Sequence, residues 1–296
     1  MRKHLLYLLV LSSYFLLHSC ASPQHKNDTV AYTDDYNRTV QVPVAPQRVV
    51  STSPAVTEII YALGGQELLV GRTDFCTYPP EAASVESIGG ISNLNVEKIV
   101  SLNPDIVISG SMIPKKSTDQ LEKMGVATVH VIEKKRFDGL YENISRIGQL
   151  IGRAPQADSL NEVLRERIHT LTHSHIHALT HSSIPSIYYV VGFGPSGNFT
   201  AGGDSFINDI ITMAGGRNIA EDITGWSYSL ESLLTADPDY ILIRREDSAA
   251  FCSNPPYSRL TAVKDHRVIG INSGLIDLQV PRNIDAVLFL SRRLAE

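Results

Sequence analysis

His169, His173, His177 and His181 stand four residues apart, and His175 lies among them. On a helix that spacing stacks imidazoles on one face, where two of them can chelate a zinc-type cation. No carboxylate or cysteine is interleaved, no H-E-x-x-H occurs, and Thr170, Thr172, Ser174 and Thr180 give the stretch the texture of a solvated helix face. The run Gly192-Phe193-Gly194-Pro195-Ser196-Gly197 has the lettering of a dinucleotide-binding loop. Its context differs, because Pro195 and Asn198-Phe199-Thr200 separate it from the next helix cap, expected at Asp204 or Ser205. Helix amides would not meet a pyrophosphate there, so the run reads as a glycine-rich loop bordering a cleft. No nucleophile elbow, P-loop or zincin helix is present, which favours binding over catalysis and calls for no catalytic cofactor.

The remaining candidates for ligand contact are aromatic or polarisable. Phe75, Tyr78, Phe193, Phe199, Trp226 and Tyr228 can form flat apolar walls for a large planar ligand. Cys76, between Phe75 and Thr77, reads as a cleft-lining or reactive thiol. Arg244 and Arg245 are the paired basic residues near the expected cleft, with Arg245 taken as a ligand contact.

These residues need a frame. The chain has 296 residues, is 43% hydrophobic and carries a formal net charge of -5. That composition suits two compact units, and without a basic patch it excludes nucleic-acid binding. Arg2 and Lys3 precede an apolar stretch from Leu5 to Leu17, too short to cross a bilayer core of ~30 Å. It reads as a signal peptide over residues 1–19. Leu17-His18-Ser19-Cys20 resembles a bacterial lipobox, so Cys20 is the expected lipidation site and membrane anchor of an exported, extracytoplasmic protein, followed by a polar tether over 20–32. Only Cys76 and Cys252 then remain, and they read as separate thiols.

Self-similarity sets the architecture. Glu58-Ile59-Ile60 followed by Gly64-Gly65 recurs as Asp209-Ile210-Ile211 followed by Gly215-Gly216. Val96-Glu97-Lys98-Ile99-Val100 with Pro104-Asp105-Ile106-Val107-Ile108 recurs as Leu230-Glu231-Ser232-Leu233-Leu234 with Pro238-Asp239-Tyr240-Ile241-Leu242. The first pattern is a helix closed by a glycine free to take positive φ. The second is a helix stopped at proline and followed by a buried strand. With leading strands at 48–52 and 186–191 and closing strands at 127–132 and 267–271, this predicts an α/β fold of two Rossmann-like lobes with mainly parallel sheets. Their expected bounds are 33–153 and 183–296. The first lobe carries extra residues between its anchors, around Asp74 to Pro80, where a scaffold stores function. Ala154-Pro155 opens a stretch to 182 with Leu160, Val163, Leu164, Ile168 and Leu171 at helical spacing. It reads as a single long interlobe helix of ~40 Å that should limit opening and closing.

Taken together, Arg48 to Pro54, Thr57-Glu58, the 74–80 segment, Asn95 to Ile99, Pro104-Asp105, Gly203 to Phe206, Ala214-Gly215-Gly216, Asn218-Ile219, Leu230-Glu231 and Pro238-Asp239 resemble the class III, helical-backbone substrate-binding proteins of ABC importers. The resemblance covers nearly the whole chain from about residue 33. It implies a monomer that binds cobalamin, haem or an iron-siderophore between its lobes. It also implies a glutamate on each lobe, here Glu97 and Glu231, docking onto a dimeric permease. Tyr78-Pro79-Pro80, Glu97 and Trp226 are closest in texture to cobalamin-binding members, making cobalamin the expected ligand and haem or a ferric chelate the alternatives. Outside that class stand a zinc carrier using the histidine ladder and a ligand-sensing lipoprotein.

Overall fold

The structure is a computed structural model that describes residues 28–178 and 184–295, the side chains of 172–178 excepted. It opens with an antiparallel hairpin of β1 (Thr29–Thr33) and β2 (Thr39–Pro43). The expected tether over 20–32 is therefore too long: Thr29 pairs with Pro43, and alternating Val30 and Tyr32 already belong to a strand.

The first lobe then runs β3 (Val49–Ser51), α1 (Pro54–Ala62), β4 (Leu69–Arg72), a short hairpin of β5 (Gly89–Gly90) and β6 (Asn93–Leu94), α2 (Val96–Ser101), β7 (Ile106–Ser109), α3 (Lys115–Lys123), β8 (Thr128–His130) and α4 (Gly139–Leu150). The helix α5 (Ala154–Ala178) follows. The second lobe comprises β9 (Ser186–Val190), α6 (Phe206–Met213), β10 (Arg217–Asn218), α7 (Leu230–Ala236), β11 (Tyr240–Arg244), the short α8 (Ser248–Ser253) and α9 (Thr261–Lys264), β12 (Val268–Ile271) and α10 (Asn283–Leu294). Among the described residues each lobe holds one four-stranded parallel sheet, ordered β4-β3-β7-β8 and β10-β9-β11-β12. Both sheets place the second strand at the edge and the first beside the third. The chain is two α/β lobes built on one plan, as the repeat predicts.

Local chemistry explains the repetition. Helices α1 and α6 both end at glycines in the left-handed region, Gly64 at φ 66 and Gly215 at φ 90. Helices α2 and α7 both end at a left-handed residue before proline, Asn103 and Asp237. The aspartate after each proline then caps the first strand of its own lobe. Asp105 accepts the amides of Gln47 and Arg48 at 2.7 and 2.9 Å, and Asp239 accepts the Ser186 amide at 2.7 Å. The expected caps also form: the Ser205 side chain accepts the Asn208 amide at the start of α6.

Strand alternation divides the core. Val49, Ile106 and Ile108 face α1 and α4, and Ile187, Tyr189 and Leu242 face α6 and α10, in one cluster that runs through both lobes. Val50 and Val107 pack outward with Ile99 and Leu121, while Tyr188, Val190, Ile241 and Ile243 pack with Leu233, Phe251 and Tyr257. Helix α5, with 25 residues or about 37 Å, lays Leu160, Leu164, Ile168 and Leu171 against the shared cluster. Val163, read as part of that stripe, is 53% exposed instead, one position off the buried arc. Arg167 on α5 reaches Asp285 on α10 at 2.7 Å.

The N-terminal hairpin is fastened to the first lobe by buried Asp34 and half-buried Asp35. Asp35 accepts the Ile132 amide at 2.8 Å and pairs with Lys134 and Arg146. Burial alone would raise its pKa, but the hydrogen bonds from Lys134, Ile132 and Arg146 outweigh that and lower it. The attachment is therefore complete above the unfolded value of 3.8 and is lost as pH falls through the lower folded value. Asp35→Asn should destabilise the protein by about 3 kcal/mol. Protection of the amides of residues 29–43, taken relative to the unstructured-chain exchange rate at each pH, should be lower at about pH 3 than at about pH 5 in the wild type and low at both in the variant.

Candidate functional site

A parallel sheet leaves the loops after its strands on its carboxyl edge, and the order seen in both lobes opens a crevice there between the first and third strands. The loops after β3, β4, β7, β11 and β12 converge on one cleft of about 750 Å³ between the lobes. Its first-lobe wall carries Phe75, Tyr78, Ile91 and Met112. Its second-lobe wall carries Arg244, Glu246, Asn272, Ser273, Asp277 and Arg282. One wall is largely apolar and the other polar.

On the apolar wall Phe75 and Tyr78 are 59% and 42% exposed, as side chains waiting for a partner surface would be. Cys76 between them points the other way and is 1% exposed. Its Sγ lies 3.1 Å from Thr57 Oγ1 and 3.3 Å from Thr73 Oγ1, and Thr57 Oγ1 is 2.8 Å from Ser51 Oγ. The expectation that Cys76 lines the cleft is thus corrected. Alternation along the extended turn sends Phe75 outward and the thiol inward, where it fastens the loop to α1 and β3. Gly110, after β7, has no room for a side chain, since a Cβ would stand 2.9 Å from Ser53.

On the polar wall Arg244 Nε donates to Asp277 at 2.8 Å, and the buried Tyr189 hydroxyl donates to the same carboxylate. Arg282 reaches across the cleft floor to the first lobe. Its Nε and Nη2 donate to the two Glu58 oxygens at 2.8 and 2.7 Å, and its guanidinium carbon lies 3.4 Å from the centre of the Tyr78 ring. Both cleft arginines are therefore already paired with carboxylates.

The other expected contacts are distributed differently. Phe193 packs edge-on against Phe251 and Tyr257 at 5.3 and 5.6 Å, and Tyr228 packs on Tyr188 at 5.6 Å, so both serve the second-lobe core. Phe199 bridges Gly192 and Ser227, beside Trp226, whose carbonyl accepts the Thr200 amide at 2.8 Å. Phe199 and the 49%-exposed Trp226 sit on loops after β9 and β10, outside the described lining of the cleft. Arg245, the expected contact, is not among the described lining residues of the cleft, whereas its neighbour Arg244 is. Arg245 opens a 3₁₀ turn with its stem against Gly270, whereas Arg244, the last strand residue, is drawn inward by Asp277. The glycine-rich loop ends well before α6, so no helix N-terminus faces it.

Glu97 and Glu231 are both exposed and occupy the same place, the second residue of α2 and of α7, after caps from Asn95 and Ser229. A helix returning from the carboxyl to the amino edge of a parallel sheet starts at the carboxyl edge, so both acids stand at the cleft end of their lobes. His169 is exposed on α5. The side chains of His173 and His177, together with His181 and Cys20, lie outside the described residues. Among the described residues no group of three His, Cys, Asp or Glu side chains is placed to hold a metal ion.

Sequence reasoning missed Met112, Asp277 and above all Arg282. One signal was available: Arg282 immediately precedes the closing helix of its lobe, as Arg136 and Phe137 precede the closing helix of the other.

Residues 49–275 match the family model described as periplasmic binding protein. An ABC transporter substrate-binding lipoprotein of Bacillus subtilis (strain 168) is 30% identical over 287 residues, covering 92% of this chain and 90% of its own. A cobalamin-binding protein of Halobacterium salinarum is 30% identical over 269 residues, covering 86% of this chain and 71% of its own. Among solved structures, a periplasmic heme-binding protein from Pseudomonas aeruginosa superposes with a TM-score of 0.76 at 27% identity, over 83% of this chain and 91% of that one.

Cys76 and Cys252 are free thiols, one buried and one half-buried. In the folded protein a thiol reagent should modify Cys252 first and reach Cys76 only on unfolding. Rapid labelling of Cys76 in native buffer, read by peptide mass, would contradict the inward orientation.

Proposed function

This chain belongs to the periplasmic binding protein family, and from that premise we propose that it captures cobalamin, or a close corrinoid, in the interlobe cleft and delivers it to an ABC permease. Its family is one of non-catalytic, extracytoplasmic binding proteins paired with ABC permeases, so capture and hand-over are its work. The observation that carries the corrinoid reading is the charge state of the cleft. Arg244 and Arg282 are both neutralised by protein carboxylates, Asp277 and Glu58. Among the described lining residues that leaves no surplus cation for a polyanionic chelate, while the polar wall offers donors and acceptors to amide groups at a corrin rim. Phe75, Tyr78, Ile91 and Met112 offer the opposing face to an apolar ring system. No histidine or cysteine is among the described lining residues, which suits a ligand whose metal arrives already coordinated. The likeness to a cobalamin-binding relative at 30% identity supports the same choice.

A second reading, haem, rests on Tyr78. An exposed phenol beside a guanidinium is a candidate ligand for ferric iron, and one similar structure is that of a heme-binding protein. Trp226 is the single tryptophan, so its emission reports on the second-lobe loops. Under the corrinoid reading cyanocobalamin quenches that emission at one equivalent, and Phe75→Ala or Tyr78→Ala weakens binding by about tenfold. Under the haem reading haemin binds instead, with a visible charge-transfer band that Tyr78→Phe abolishes. Titrations of the purified protein with both ligands separate the two.

Glu97 and Glu231 are proposed as the docking acids, supported by their equal register and exposure at the cleft ends of the lobes. Matched acids suit matched basic pockets on a two-fold partner. Cys20 is proposed as the lipid anchor, a reading supported by the lipoprotein nature of the Bacillus relative. Charge reversal of both acids, Glu97→Arg with Glu231→Arg, should abolish uptake in cells and permease binding in vitro while leaving ligand affinity within about twofold. Loss of ligand affinity in that double variant would remove the docking assignment.

A further inference from the structure

The pair between Glu58 and Arg282 has a counterpart. Glu58 lies on α1 of the first lobe and takes its arginine from the residue before α10 of the second. Asp209 is the matching acid of the repeat, on α6 of the second lobe, and takes its arginine from the first: Arg136 Nη2 lies 2.7 Å away, and the Phe137 amide donates at 2.8 Å. Each lobe thus contributes an acid from its first helix and an arginine from the lead-in to its closing helix, and the two pairs cross the seam in opposite directions. Further bonds lie along the same seam. Gln279 accepts the Lys134 amide at 2.9 Å and donates to the Arg136 carbonyl at 2.8 Å, and Lys135 reaches Asp204 at 2.9 Å.

The crossed pairs differ in one respect. Arg136 is 65% exposed in its side chain and touches no aromatic in the cleft, whereas Arg282 is 17% exposed and covers the Tyr78 ring. Arg282 is therefore tied to Glu58 at the floor and to Tyr78 on the wall. We infer that Arg282 is a positioning residue of the binding cleft: clamped across the lobes by Glu58, it holds the Tyr78 loop in place, while the Arg136 and Asp209 clamp secures the lobes without acting on that wall. The Cys76 thiol anchors the same loop from behind. Tyr78 is thus held from both sides, and its placement depends on the spacing of the two lobes. Bidentate hydrogen bonding and stacking both require the planar guanidinium, so lysine is not an equivalent residue here.

This inference rests on the proposed use of the cleft, so its test has one arm that needs no ligand. In the ligand-free, full-length protein, hydrogen exchange of peptides covering residues 74–84 should accelerate about tenfold in Arg282→Met and in the milder Glu58→Gln, by loss of local protection. Arg136→Met should leave those peptides unchanged and instead affect peptides around 204–212. In the second arm, cyanocobalamin affinity should fall about tenfold in Arg282→Met and Arg282→Lys, and less than about threefold in Arg136→Met, at similar losses of thermal stability. Equal effects of the two arginine variants on the 74–84 peptides, or unchanged exchange in both Arg282→Met and Glu58→Gln, would overturn the positioning role. Should Arg282→Met fail to fold, Glu58→Gln decides the exchange arm. A wild-type protein that binds no cyanocobalamin would refute the corrinoid reading alone, because the exchange arm stands without it.

Discussion

Two parallel sheets whose carboxyl edges face one another are the constraint from which the rest follows. A parallel sheet places its return helices on its faces and leaves the turns after its strands free at one edge. When two such units share one apolar cluster and a spanning helix, the free turns of both are held opposite each other. Phe75, Tyr78, Arg244 and Asp277 need no special folding instruction to meet, since Arg244 ends a strand that the core has already placed and the other three lie on loops that follow such strands. The cleft is a consequence of the core, and its chemistry resides in residues the core does not use.

The seam between the lobes is polar and partly buried, and its ion pairs are not sources of stability in the ordinary sense. Burial raises the Glu58 carboxyl above its usual value in spite of the hydrogen bonds and charge of Arg282. Burial likewise raises Asp209, in spite of the Phe137 amide and Arg136. A carboxyl whose folded pKa is raised contributes stability below its unfolded value and loses that contribution as pH rises through the folded value. At neutral pH both acids are therefore held at a cost that apolar packing must offset. Asp35 behaves in the opposite way, its pKa lowered by Lys134, Ile132 and Arg146, and it stabilises the hairpin it anchors. The contrast separates a pair that fastens an element from pairs whose directional bonds set the registry of two lobes.

What could be read from the chain follows from the range of each interaction. The helix ends at Gly64 and Gly215, the Ser205 cap and the strands after Pro104 and Pro238 depend on neighbours a few residues away, and their signals are written locally. Phe193 and Phe75 carry the same letter, yet one closes a core with Phe251 and Tyr257 while the other stands free, a difference made by distant residues. Cys76 reads differently in the fold for the same reason, because the hydroxyl that donates to its sulfur is that of Thr57 on another element. Arg282 is the extreme case. Its partner Glu58 lies 224 positions away, and neither residue has a local pattern that names the other. The acids of the repeat were visible from the start, but their arginines were not.

The duplicated plan is kept at some places and abandoned at others, and the division is informative. Helix caps, left-handed helix ends, strand-capping aspartates, the acids Glu97 and Glu231 and the crossed clamps all recur in both lobes. The cleft walls do not. The first lobe inserts the loop with Phe75 and Tyr78, and the second answers with Arg244, Asp277 and Arg282. Symmetry in the supporting parts and asymmetry in the walls is what a protein needs when its proposed receptor is two-fold and its ligand is not. A ligand with unlike faces gains from unlike walls, since each wall can be complementary to one face. A dimeric receptor gains from like ends, since one docking chemistry then serves twice. Arg282 belongs to both sets: as half of a clamp it is repeated in Arg136, and as the residue over Tyr78 it has no counterpart. At that side chain the symmetric frame becomes a one-sided binding site.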